Sequence, residues 1–357
     1  MRPFRPGPGW EIAVDAAASG QKRILIVRLS AIGDTIHSLP LAAALKKSCP
    51  GCHIGWVVEQ PSAALIAGNP LIDWYEVLPK GWLKSPARAW ELRRVLRAQK
   101  FDIAIDPQGL TKSAVVAWLS GAKKRIGFSR GESRELAPLL DNVLVPPKGR
   151  HAVDMTLSLL SALDIPVPDV PEFVFPDCPE EDRRRIDDFL SRPVYAGGFV
   201  LMGPWGSFAA KLWPLERFLE LAVALKRETG LPSVMLGHGR QEREAAHALA
   251  DRSDGALAVA PDVTLTGVVG LARRAGLFVG CDSFPMHAAA GVGCRTLGLF
   301  GVTDPERLGP YGPRGATAQD RITLVKSTRE RRKLDPDTMR ALQVETVFAA
   351  CCRMLAE

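Results

Sequence analysis

The stretch Ser30-Ala31-Ile32-Gly33-Asp34-Thr35-Ile36-His37-Ser38-Leu39-Pro40 follows the apolar run Arg23–Leu29 and carries the first residues suited to chemistry. A glycine at the end of a buried strand lets the backbone turn sharply. Asp34 is therefore expected at the carboxyl edge of a sheet, where open α/β folds bind ligands. A carboxylate there can cap the next helix or take a proton from an attacking hydroxyl, and the spacing admits both. His37, one turn further on, either faces the same site or is an ordinary helix histidine.

Three stretches in the second half have the make-up of a nucleotide site. Gly203-Pro204-Trp205-Gly206-Ser207 follows one apolar run, and Lys211-Leu212-Trp213-Pro214 opens a helix. Small residues let backbone approach a phosphate, and Ser207 and Lys211 can donate to its oxygens; an ordinary surface lysine fits the spacing equally. Glu242 lies just past the run Ser233–Gly237, placed either to accept from ribose hydroxyls or to sit as a solvated first-turn glutamate. Last, Gly276–Cys281 ends in Asp282-Ser283-Phe284-Pro285-Met286-His287. Ser283 can cap and Pro285 suits a first helical turn, so a carboxylate, a helix N-terminus and a histidine fall within six residues.

Two other features are blander. Cys49 and Cys52 form a lone CxxC around Pro50-Gly51, which a tight turn between helix and strand explains better than redox or metal chemistry without a second ligand pair. The run Arg329-Glu330-Arg331-Arg332-Lys333 reads as a solvated connector, with no DNA- or RNA-reading motif beside it.

These residues need elements to hold them. Short β-rich runs alternate with helical patterns, which predicts parallel α/β construction. The first half has runs at Arg23–Leu29, His53–Val58, Phe101–Asp106, Arg125–Phe128 and Val143–Val145. The second has Phe199–Gly203, Ser233–Gly237, Ala256–Ala260, Gly276–Gly280 and Thr296–Phe300. Leu215 to Leu225 carries a helical apolar stripe, and Asp337 to Glu357 reads as an amphipathic helix that packs on its own half or back on the first. Prolines 166, 168, 171, 176 and 179 mark a stiff connector. The expected organisation is a tail over 1–21, one doubly wound domain over 22–177 and another over 178–357, facing a central cleft.

The chain has 357 residues, 46% hydrophobic and 24% charged, which excludes a disordered or fibrous protein and suits two domains. No apolar run approaches the ~18 residues of a membrane span, and no signal peptide is readable, so a cytoplasmic protein is expected. Seven cysteines do not read as a secreted disulfide framework. The net charge of +7 is uneven: residues 1–177 carry 22 basic and 17 acidic side chains, and residues 178–357 carry 24 and 22. A polyanion-facing surface is therefore expected in the first half.

Taken in order, the motifs resemble glycosyltransferase family 9, the ADP-heptose:lipopolysaccharide heptosyltransferases, from about Arg23 to the C-terminus. Gly33 to Pro40 is most similar to the heptosyltransferase I subgroup. So are Asp106-Pro107-Gln108-Gly109-Leu110-Thr111-Lys112-Ser113, Arg134-Glu135-Leu136-Ala137, His151-Ala152-Val153-Asp154 and Thr303-Asp304-Pro305.

The resemblance implies a GT-B fold, with acceptor on the first domain and nucleotide sugar on the second. It implies that Asp34 is the catalytic base and that Arg28, Lys112, Arg134 and His151 line the acceptor side. On the donor side, Ser207 and Lys211 match diphosphate contacts, Glu242 the ribose contact, Asp282 the sugar contact, and Ser283 and His287 the phosphate-facing helix end. The implied activity is inverting, metal-independent transfer of heptose from ADP-L-glycero-D-manno-heptose to Kdo of the lipid A inner core. It would need no cofactor or nucleic acid and would take place peripherally at the inner membrane. The family usually carries glycine where this chain has Phe284, so another nucleotide-sugar donor or a later core acceptor stays open. A non-catalytic protein binding a nucleotide sugar or anionic lipid is the alternative from a different class.

Overall fold

The computed structural model describes residues 21–129, 131–320, 330, 333–334 and 337–357. The tail expected over 1–21, except Gln21, and most of the basic run 329–333 lie outside these residues. The chain divides into two compact units, Met1–Asp177 and Cys178–Glu357.

The first unit is built on β1 (Arg23–Val27), β2 (His53–Glu59), β3 (Trp74–Leu78), β4 (Ile103–Asp106), β5 (Lys124–Phe128) and β6 (Val143–Val145). All pair in parallel, in the order β3-β2-β1-β4-β5-β6. The chain winds outward from β1 on one side, then restarts at β4 on β1's other side. Such a reversal leaves a crevice at the carboxyl ends of the two central strands. β1 is buried over Ile24 to Val27, as a strand covered by helices on both faces must be.

The second unit repeats the plan with β7 (Val200–Gly203), β8 (Ser233–Met235), β9 (Leu257–Val259), β10 (Leu277–Cys281), β11 (Thr296–Leu299) and β12 (Gly315–Ala318), ordered β12-β11-β10-β7-β8-β9. Here the reversal lies between β7 and β10. Gly203 pairs with Gly280 at their carboxyl ends. A Cβ on Gly280 would stand 2.4 Å from the Gly203 carbonyl oxygen, so only glycine permits this approach.

The pattern missed two strands, β3 and β12, and both are sheet edges. β3 is only partly buried along most of its length, and β12 is Gly-Ala-Thr-Ala; neither presents the apolar run that marks a central strand. The C-terminal segment is not one helix but two, Asp337–Ala341 and Val344–Ala356. The break frees the Leu342 carbonyl, which accepts from Trp213 Nε1 at 2.8 Å and from Arg217. Val347, Ala350, Cys351 and Met354 then enter the second unit's own core.

Cys49 and Cys52 close a turn, with the Cys52 N–H donating to the Cys49 carbonyl at 2.9 Å. Burial, and after it the neighbouring Cys49, pushes the Cys52 thiol up to about 12, which suits a structural cysteine. No helix among the described residues is long and apolar enough to cross a membrane.

Candidate active site

The loops leaving β1 and β4 meet at the first reversal point. Asp34 lies in the first turn of the helix Ile32–Ser48, its carboxylate 39% exposed. One oxygen accepts from the Ala31 N–H at 3.2 Å; the other is 3.1 Å from Arg28 Nη2. Capping and exposure therefore coexist: the helix end orients the group without burying it. Arg28 in turn donates to the Pro107 carbonyl at 2.5 Å, tying the β1 loop to the β4 loop. The Leu29 N–H donates to Gln108 Oε1 at 2.8 Å, a second tie between the same loops.

Asp106, the last residue of β4, shapes that second loop from below. It is fully buried and accepts from the Gln108 and Gly109 N–H groups at 2.9 and 3.1 Å and from Ser113 Oγ at 2.8 Å. Burial raises its carboxyl above the ordinary range, while those donors and Arg28 pull the other way. Beside it lies Asp141, buried over Gly127, where a Cβ would sit 2.1 Å from Asp141 Oδ2. Among the described residues neither oxygen of Asp141 has a hydrogen-bond partner. Burial first, and the Asp106 charge second, push its carboxyl up to about 8.

Lys112 opens the helix Thr111–Leu119 and donates to Ser30 Oγ at 3.1 Å and Glu59 Oε2 at 3.0 Å. His151 caps the helix Ala152–Ser158, its Nδ1 accepting from the Val153 N–H at 3.1 Å. Its ring lies edge-on to His37, centroids 5.5 Å apart, and His37 Nδ1 is 4.0 Å from Asp34 Oδ1. Arg134 is exposed, and its backbone N–H donates to the Gly109 carbonyl at 2.8 Å. Arg28 thus pairs with Asp34 directly and His151 reaches it through His37, while Lys112 contacts Ser30 and Glu59 and Arg134 is tied by its backbone to Gly109.

At the second reversal point Lys211 and Asp282 form a near-buried pair, Nζ to Oδ2 2.6 Å, and His287 Nε2 is 3.4 Å from Asp282 Oδ1. Burial would raise the Asp282 carboxyl, but the His287 hydrogen bond and the Lys211 ammonium outweigh it and hold the group well below the usual range. Lys211 also lies 5.2 Å from the Phe208 ring centre. Ser283 is the N-cap of the helix Phe284–Gly291 by position only, since its hydroxyl donates to the Cys281 carbonyl at 3.3 Å and caps no helix amide. Ser207 is exposed in the Lys211 loop. Glu242 follows β8 and accepts from the His238 N–H at 2.8 Å, one strand away from the Lys211–Asp282 pair.

A known family shares this architecture. The glycosyltransferase family 9 (heptosyltransferase) model matches residues 89–335. The chain belongs to glycosyltransferase family 9. It is 34% identical over 304 residues to lipopolysaccharide heptosyltransferase 1 of Pseudomonas aeruginosa, covering 81% of each chain. It is 28% identical to the protein of the same name from Escherichia coli K12, covering 81% of this chain and 91% of that one. Among solved structures, the family 9 glycosyl transferase from Veillonella parvula superposes with a TM-score of 0.78 at 25% identity, covering 94% and 97% of the two chains. The E. coli heptosyltransferase WaaC with ADP gives 0.73 at 24%, covering 93% and 99%. The fold class is α/β, GT-B, and the protein is a glycosyltransferase.

Sequence reasoning missed Glu59, Asp106 and Asp141 among the polar residues around the loops of the first sheet. Asp106 opens the quoted Asp106–Ser113 motif and could have been found there, because an aspartate ending an apolar run faces burial and needs donors nearby. Glu59 ends β2 and carried a weaker signal of the same kind. Asp141 had none, since its burial depends on Gly127 across the sheet.

Proposed function

We propose that this family 9 enzyme transfers heptose from ADP-L-glycero-D-manno-heptose to Kdo of the lipid A inner core, with inversion at the anomeric carbon. The observation that carries the reading is the Asp34 carboxylate, oriented by Arg28 and Ala31 yet open to solvent at the first reversal point. The acceptor hydroxyl gives its proton to Asp34 as its oxygen bonds to the anomeric carbon. The bond to the diphosphate breaks, and ADP leaves with the electron pair. Lys211 and the amides opening the helix Phe284–Gly291 supply positive charge to the departing diphosphate without a metal. Asp282 keeps Lys211 in place and contacts the sugar, and His287 stands at the phosphate-facing helix end; Ser207 donates to the diphosphate, and Glu242 accepts from the ribose hydroxyls. Arg28, Lys112, Arg134 and His151 receive the anionic acceptor. The relatives named for lipopolysaccharide heptosyltransferase 1 support this donor and acceptor, and the same reading places the enzyme in the cytoplasm at the inner membrane.

The test is direct: purified protein, ADP-heptose and Kdo-lipid A, with ADP release and product mass as readouts. Release of ADP with a heptose-sized mass gain is expected, and no product at saturating substrates overturns the reading. Phe284, half-buried at the first position of the helix, favours a second reading with a different nucleotide sugar. Turnover of another donor, and none of ADP-heptose, would select it.

A further inference from the structure

The most basic stretch of the first half is not one that carries Arg28, Lys112, Arg134 or His151. Residues 80–100 alone hold seven basic side chains, Lys80, Lys84, Arg88, Arg93, Arg94, Arg97 and Lys100, against the single acid Glu91, a net of +6. The whole of 1–177, with 22 basic and 17 acidic side chains, nets +5. The rest of that half nets −1: a second basic stretch over 112–134, six basic side chains against Glu132, is offset by acids elsewhere, and 80–100 is the most basic stretch. All seven basic side chains are exposed.

The fold presents this segment outward. Ser85 caps the helix Pro86–Ala98, accepting from the Arg88 N–H, and Pro86 takes its first position. Leu92 and Leu96 face the core with Trp82, Val116 and Leu119. The opposite face carries Trp90, Arg93, Arg94 and Arg97 at spacings of three, four and seven residues, so they share one stripe. Trp90 is 66% exposed and Leu83, in the preceding turn, 44%. The Arg97 guanidinium packs over Gly121, three residues beyond Trp118, which is itself 51% exposed. Exposed tryptophans interleaved with unburied arginines are costly in water and fit a surface that is anionic outside and apolar just beneath.

We propose that the face formed by Leu83, Trp90, Arg93, Arg94, Arg97 and Trp118 docks the enzyme on an anionic lipid bilayer. The indole rings enter the headgroup region, the arginine stems lie along it, and their charges meet lipid phosphates. The inference deepens the reading of a lipid-borne acceptor and rests on it for its biological sense, but docking can be measured without turnover.

The experiment uses the full chain with vesicles of phosphatidylethanolamine and phosphatidylglycerol, and neutral phosphatidylcholine vesicles as control. Flotation and quenching of tryptophan fluorescence by brominated lipid are the readouts. Wild type is expected to bind the anionic vesicles, more weakly as salt rises. Arg93→Glu with Arg94→Glu should weaken binding by roughly 25-fold or more, at about five-fold per cation lost. Trp90→Phe with Trp118→Phe should remove most of the bromolipid quenching while leaving the protein folded. Transfer to a water-soluble acceptor fragment should be unchanged in both variants. Wild-type binding in the charge-reversed protein, or equal binding to neutral vesicles, overturns the proposal. So does a dimer in solution that these substitutions dissociate, because the face then belongs to a second copy. Loss of transfer to the soluble acceptor in wild type would instead overturn the activity and leave docking standing.

Discussion

Arg28 and Asp34, at either end of the turn out of β1, are joined by a 3.1 Å ion pair, and Arg28 is itself pinned to the Pro107 carbonyl beyond β4. The carboxylate's aim thus depends on two loops that the sheet order brings together. Asp34→Ala should lower kcat by roughly 10²–10⁴-fold, the range for removing a general base. ADP-heptose binding, followed by calorimetry, should be nearly unchanged, since the proposed donor contacts belong to the other unit. Arg28→Ala should also lower kcat while leaving donor affinity intact. An Asp34→Ala enzyme with wild-type turnover would remove Asp34 from the mechanism.

If Lys211 holds the donor diphosphate as proposed, it couples donor binding to stability. It neutralises Asp282, whose carboxyl is nearly sealed from solvent, and His287 Nε2 lies 3.4 Å from the other carboxylate oxygen. Lys211→Met should weaken ADP binding and also lower stability by about 3–5 kcal/mol, because a buried charge loses a partner. Adding Asp282→Asn should restore much of the melting temperature but not the ADP affinity. If the double variant regained binding, Lys211 would be only a structural partner of Asp282.

Much of this was legible in the sequence because the central strands are continuous apolar runs whose ends coincide with the chemistry. Asp34 ends the turn after β1, and Asp282 directly follows β10. The edge strands β3 and β12 were not legible, since β3 is only partly buried over most of its length and β12 is Gly-Ala-Thr-Ala, so neither shows an apolar run. Tertiary partners were hidden for a different reason. That Arg28 reaches Pro107 and Leu29 reaches Gln108, each across 79 residues, follows from β1 and β4 being neighbours, and no local spacing encodes that adjacency. The basic segment 80–100 was visible as composition, but only the fold shows that its arginines turn away from the core. Ser283 illustrates the opposite error: its type and position suit a cap, yet its hydroxyl turns back to Cys281.

The closeness of β7 and β10 is a structural requirement of the loop that carries Asp282. A methyl group on Gly280 would stand 2.4 Å from the Gly203 oxygen and 2.9 Å from its Cα, and these are backbone atoms that cannot rotate away. Gly280→Ala should therefore push the strands apart and cost about 1–3 kcal/mol. Because Cys281 and Asp282 follow immediately, ADP affinity should fall with it. Thermal unfolding and ADP titration check both effects; a variant with unchanged melting temperature and affinity would show that the strands yield at no cost.

Asp141 makes stability depend on pH in an unusual direction. Its carboxyl, with no hydrogen-bond partner among the described residues, is pushed up to about 8 by burial and then by Asp106. An unfolded aspartate titrates near 3.9, so the fold favours the protonated form. A raised acid contributes stability that is fully present below about pH 4 and is lost as pH climbs through the folded value. Wild type should therefore lose stability between pH 5 and 8 relative to Asp141→Asn, which cannot ionise. The difference in melting temperature, wild type minus variant, should fall by roughly 2–4 °C for each 1 kcal/mol lost. Asp106, also raised, interacts with Asp141, so the comparison reads the titration of the pair rather than of Asp141 alone. Parallel melting curves across the range would mean that Asp141 is ionised in the fold at neutral pH, with Arg125 offsetting its burial.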